Sequence, residues 1–146
     1  MPTLQKELLF VLIKYLNLEE LFMANYKKTE VGNLSEVATK YENGKAFLHD
    51  VLGLTGCEIS VSFMPAGMKL PFNHKHKQNE EVYIFLKGNG VMTLDTEAVT
   101  VTEGSCVRVL PTVVRTMEAK TDMQYICVQA KEGSLVQFGM GDAELC

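Results

Sequence analysis

The chain has 146 residues, 47% of them hydrophobic and 22% charged, and its 14 Lys+Arg against 18 Asp+Glu leave a formal net charge of −4. That is enough chain for one globular domain that buries its own core, so neither metal nor disulfides are needed merely to fold, and a metal site would be functional rather than structural. The acidic balance and the lack of a Lys/Arg run exclude the electrostatic footprint of a nucleic-acid-binding protein.

Residues 4–22 come first. Leu4, Leu8, Val11, Leu12, Tyr15, Leu16 and Phe22 recur at helical spacing, with Lys6, Glu7, Lys14, Asn17 and Glu20 largely on the other side. This predicts an N-terminal amphipathic helix that docks on the domain or on a second subunit. It carries too few basic residues to lie on a membrane. The apolar run 8–13 is far short of the roughly 20 residues that span a bilayer. Met23 reads as an alternative translation start, which would divide the chain into an extension, residues 1–24, and a domain, residues 25–146. The opening residues lack the pattern of a secretory leader, and Cys57, Cys106, Cys127 and Cys146 form no CxxC pair. Reduced thiols in a cytoplasmic protein are the expectation.

Past Asn43-Gly44 the helical period disappears. Short apolar or alternating runs at 57–63, 81–86, 91–94, 98–101, 106–110 and 123–130 predict strands. Turn signals separate them: Pro65-Ala66-Gly67, Lys87-Gly88-Asn89-Gly90, Asp95-Thr96, Glu103-Gly104 and Pro111-Thr112. With no long helix between strands, the pattern predicts an all-β, antiparallel sandwich or barrel and disfavours a nucleotide-binding parallel sheet.

Two of the three histidines stand in the segment Asn73-His74-Lys75-His76-Lys77-Gln78-Asn79-Glu80-Glu81. On an extended chain, residues i and i+2 share a face, so His74 and His76 point the same way. Glu81 opens the next apolar strand and can turn toward that face if the two strands pair. Two imidazoles and one carboxylate form a ligand set suited to catalytic zinc or to a non-haem divalent metal such as Fe, Mn, Ni or Co. The competing reading of His-Lys-His-Lys is a solvated hairpin turn.

The longer pattern, Gly67 followed by His74-x-His76-x4-Glu81-x6-Gly88, resembles the first motif of the cupin superfamily. The resemblance implies a small cupin-type antiparallel β-barrel or jelly roll, with strands matching over about residues 45–137. It implies His74, His76 and Glu81 as metal ligands, the gap to Gly88 selecting Glu81 over Glu80. The second cupin motif is matched at Gly104 and Pro111, but Val113 stands where that motif has a glycine. No histidine follows, and Thr116 or Arg115 occupies the region of the family's fourth ligand.

Arg115 is therefore a candidate clamp for a substrate carboxylate or phosphate, through two parallel charge-assisted hydrogen bonds. Its alternative is a place on the outer surface, paired with Glu118 or another acid. Met64, Tyr83, Phe85, Met92 and Tyr125 pack the barrel or line its pocket, and Tyr83 is taken with Arg115 as a substrate-binding candidate. His49, beside Asp50, reads as a surface or hydrogen-bonded histidine. Cys106 and Cys127 read as small buried apolar residues within strands.

The resemblance implies a cupin that holds one divalent metal (Fe, Mn, Ni or Zn) and acts on a small organic molecule, as a dioxygenase or isomerase would. A non-catalytic, metal-free small-molecule-binding or sensing module is the alternative. A homodimer is expected, because barrels of this family commonly pair and antiparallel sheets need their edges covered.

Overall fold

The structure is a computed structural model that describes residues 25–146. The helix expected over residues 4–22 and the start at Met23 lie outside the described residues. Eight strands account for most of the regular structure: β1 (Lys45–Phe47), β2 (Glu58–Met64), β3 (Asn79–Lys87), β4 (Gly90–Leu94), β5 (Glu97–Val101), β6 (Cys106–Val109), β7 (Arg115–Ala119) and β8 (Met123–Lys131). The two α-helices among the described residues, α1 (Val37–Lys40) and α2 (His49–Leu52), are single turns.

The strands form two antiparallel sheets, one ordered β1-β2-β8-β3-β6 and the other β5-β4-β7. Strand alternation builds the interior. On β3, Glu81, Tyr83 and Phe85 are buried while Val82 and Ile84 face the other way. On β7, Arg115, Met117 and Ala119 are buried. The core is the contact between the sheets: Met64, Tyr83, Phe85, Met123 and Tyr125 on one side, Met92, Val101, Met117 and Ala119 on the other.

A strap connects β2 to β3 and fixes the histidines. It runs antiparallel along β7, with Leu70 N donating to Met117 O (3.0 Å), Arg115 N to His74 O (2.9 Å) and His74 N to Arg115 O (3.2 Å). His74 thus lies directly opposite Arg115, so both side chains enter the same interior. His76 N donates to Pro111 O (2.8 Å), holding the second histidine against the chain that leads into β7.

The all-β, antiparallel expectation is borne out, and each of the six expected runs lies in an observed strand to within one or two residues. β1 and β7 are additions. β1 is three residues long with a single buried side chain, Ala46. β7 reads Arg-Thr-Met-Glu-Ala, and its period is disguised because a charged residue occupies the first buried position.

Gly88, which closes the motif, has φ +81, and a Cβ there would collide with the carbonyl oxygen of Asp122. Gly88→Ala therefore combines left-handed strain with a backbone clash and should destabilise the domain by about 2 kcal/mol or more, read as a lower urea midpoint.

Candidate metal centre

Glu81 is the centre of the site. Burial of a carboxylate is costly unless each oxygen finds partners, and here they converge from four chain segments. Tyr83 Oη donates to Glu81 Oε1 (3.0 Å), and Cys127 Sγ, from the neighbouring β8, donates to Oε2 (3.1 Å). His76 Nε2 lies 3.2 Å from Oε1 and His74 Nε2 3.8 Å from it. The guanidinium of Arg115 completes the ring, with Nε 3.4 Å from Oε1 and Nη2 donating to Leu110 O (2.7 Å).

Strand geometry explains this convergence. Glu81 and Tyr83 are i and i+2 on β3, and Tyr83 is directly paired with Cys127 across to β8. Glu80, one residue earlier, faces the other side and pairs with Arg108 (2.6 Å). His74 and His76 are half-buried on the strap while Lys75 and Lys77 are exposed, so the alternation places the imidazoles inside and the ammonium groups in water.

The electrostatics follow. Desolvation pushes the Glu81 carboxyl upward, but the hydrogen bonds from Cys127 and Tyr83 and the charges of His76 and Arg115 outweigh it and hold the group below its ordinary value. Burial pulls His74 down, reinforced by Arg115 and against the attraction of Glu81, which favours the neutral imidazole that a metal requires. Burial first, and the Glu81 charge next to them, raise Tyr83 and Cys127 well above their ordinary values, so both remain donors.

The donor set fits a divalent ion. One ligand atom each from His74, His76 and Glu81 lie within 4.8 Å of one another. His74 Nδ1 and His76 Nε2 are buried without a hydrogen-bond partner, His76 Nε2 being close to Glu81 but not in line with it. Two imidazoles and an ionised carboxylate gathered within 4.8 Å are what such an ion binds, His74 having its Nε2 3.8 Å from Glu81 Oε1 and its Nδ1 unpartnered.

The remaining candidates separate clearly. Arg115 does not lie outside with Glu118: it is 1% exposed, and Glu118 pairs instead with Lys120 (2.7 Å). Thr116, its neighbour, alternates to the opposite face of β7. Tyr83 is a buried core residue whose hydroxyl reaches Glu81. His49 sits on α2, bonded to Asp50 (2.8 Å), and takes no part in the cluster. Cys106 is exposed, contrary to expectation, because its position on β6 faces away from the core; Cys127 is buried but acts as a hydrogen-bond donor rather than as inert filling.

Two antiparallel sheets with two imidazoles and a carboxylate clustered against their inner faces define a small jelly-roll protein with a candidate divalent-metal site. The cupin-domain family model matches residues 60–129, which contain all three candidate ligands. A cupin protein from Bacteroides fragilis of known structure is 36% identical, with a TM-score of 0.74 over 85% of this chain and 99% of that one. The chain belongs to the cupin family. An RmlC-like cupin protein from Desulfovibrio desulfuricans shares the fold at 18% identity, with a TM-score of 0.55 over 72% of this chain and 97% of that one. An uncharacterized protein of Methanocaldococcus jannaschii is 38% identical over 53 residues, 36% of this chain and 42% of that protein, so the match spans less than half of this curated relative.

Arg115 and Glu81 are a buried ion pair, and removing one partner strands the other charge. Arg115→Met should destabilise the protein by about 3 kcal/mol in chemical denaturation. An unchanged midpoint would show that the guanidinium is not needed to balance Glu81.

Proposed function

We propose that His74, His76 and Glu81 hold one divalent metal ion (Fe, Mn, Ni or Zn) and that the protein acts on a small organic molecule in the adjoining pocket, in a dioxygenase- or isomerase-like reaction. The observation that carries this reading is the convergence of one ligand atom each from His74, His76 and Glu81 to within 4.8 Å of one another, with His76 Nε2 buried and unpartnered beside an ionised carboxylate. When bound, such an ion supplies Lewis acidity toward a substrate oxygen. The chain's own residues do the rest. Tyr83 and Cys127 orient the carboxylate through its two oxygens, and the strap's pairing with β7 orients the imidazoles.

A second reading has its own support. The Arg115 guanidinium already supplies a positive charge to Glu81, which would let a metal-free version of the pocket persist as a binding module. Elemental analysis of untagged protein separates the two. About one metal per chain in the wild type and none in the His74→Ala/His76→Ala variant is the expected result; no metal after titration with Fe, Mn, Ni and Zn would overturn the metal reading.

We also infer a homodimer. On the face of the five-stranded sheet turned away from the core, Ile59, Phe63, Val82, Ile84, Ile126 and Val128 remain partly accessible, while only Val37, Ala46 and Val61 are fully covered, where α1 lies against β1 and β2. A second copy covering that face would remove a contiguous apolar surface from water. Sedimentation equilibrium should give twice the chain mass, and Ile126→Lys should shift it to one. No helix among the described residues is long and apolar enough to cross a membrane.

A further inference from the structure

Beside the histidine cluster lies a second feature that the metal site does not use. A cavity of about 470 Å³ opens between the strap and the inner face of β1, β2 and β8. Its walls are apolar and partly aromatic, with Met64, Leu70, Phe72 and Tyr125 prominent among them. Two polar groups stand out against that lining. Ser62 Oγ is buried near the Tyr125 hydroxyl without a well-formed hydrogen bond, and Lys45 makes no ion pair with any carboxylate among the described residues. An unmade hydrogen bond at a buried hydroxyl is costly, and a lysine set over an aromatic ring rather than against an acid keeps a positive charge that no carboxylate offsets. The Lys45 ammonium lies 5.7 Å from the centre of the Phe47 ring.

The register makes these two groups a pair. Lys45 is directly opposite Ser62, and Ser62 is directly opposite Tyr125, so the three form one row across β1, β2 and β8. The adjacent row runs Phe47, Ser60, Cys127 and Tyr83, and its last two members hold Glu81. Cavity and candidate metal centre are therefore neighbouring rows of one sheet face. Phe72 joins them from the strap, its ring centre 5.8 Å from that of His74. Glu42 and Lys69 at the rim are exposed and offset one another, which leaves Lys45 as the net charge of the cavity.

We propose that this cavity takes a small, flat organic anion, a carboxylate carried on an unsaturated or aromatic body, with the carboxylate at Lys45 and Ser62 and the body between Phe72, Leu70 and Tyr125. The assignment deepens the preceding reading and rests on it only for orientation, the end of the body away from the carboxylate being set against Phe72, which also packs on His74. The cavity's size suits a one-ring molecule, and its few polar groups fix which end enters first. Arg115, though cationic and with Nε and Nη1 lacking hydrogen-bond partners, does not line this space; it lies 3.4 Å from Glu81 and donates through Nη2 to Leu110 O.

The test uses the full chain stripped of metal, so that the probe cannot coordinate an ion, and follows 4-fluorobenzoate and its neutral amide by fluorine NMR. The acid should bind saturably and about tenfold more tightly than the amide, the worth of one charge-assisted hydrogen bond. Lys45→Met should erase that preference with the amide's affinity changed less than about twofold, and Ser62→Ala should weaken the acid several-fold; a circular dichroism melt confirms that each variant is folded. Equal affinity for acid and amide, an undiminished preference in Lys45→Met, or no saturation by either probe overturns the proposal. The His74→Ala/His76→Ala variant keeps the two readings apart. Anion preference persisting in it supports the cavity assignment whatever the metal content, whereas a metal-replete wild type with no anion preference sinks this assignment alone.

Discussion

One buried carboxylate sets the terms for the rest of the pocket. Glu81 is 5% exposed yet ionised, and a charge in that position is tolerated only if the surrounding chain supplies donors and an opposite charge. The requirement reaches into both sheets. It accounts for a hydroxyl on Tyr83 and a thiol on Cys127 where apolar side chains would otherwise pack the core, and for an arginine on β7 at a position that Met117 and Ala119 continue as ordinary core. Remove the carboxylate and these three polar groups lose their reason to be inside.

The same constraint explains what was legible in the sequence. His74, His76 and Glu81 lie close together along the chain, so two-residue alternation alone predicts that the imidazoles share a face and that Glu81 can join them. Cys127 and Arg115 reach the site through strand pairing between distant segments, and register of that kind is not written in local periodicity. β7 escaped notice for a related reason. Its inward positions are Arg115, Met117 and Ala119, and a charged residue at the first of them breaks the apolar alternation that marks a strand. The residue that hides the strand is the one the site needs.

Arg115 and Cys106 show the limit from the other side. Reading Arg115 as a partner of Glu118 is reasonable along the chain, where they are three apart, but on a strand an odd spacing puts the two side chains on opposite faces. Glu118 goes to Lys120, an even step away. Cys106 begins an apolar run, yet it falls on the outward half of β6, while Val109 at an odd step from it is buried. Composition identified both as candidates for the interior or the surface; only the phase of the strand decides, and the phase is fixed by pairing.

The departure from the family's second motif then acquires a physical meaning. A fourth imidazole would be a neutral ligand, so a divalent ion with Glu81 would leave the pocket one unit positive. A guanidinium in its place adds a further positive charge that cannot be lost by deprotonation near neutral pH. With the ion bound, the pocket would carry two units, and with Lys45 close by, three. Repulsion between Arg115 and an ion bound there would weaken metal binding relative to a four-ligand site. A ligand that carries its own negative charge would relieve the repulsion, so metal and anion should favour each other's binding in this pocket.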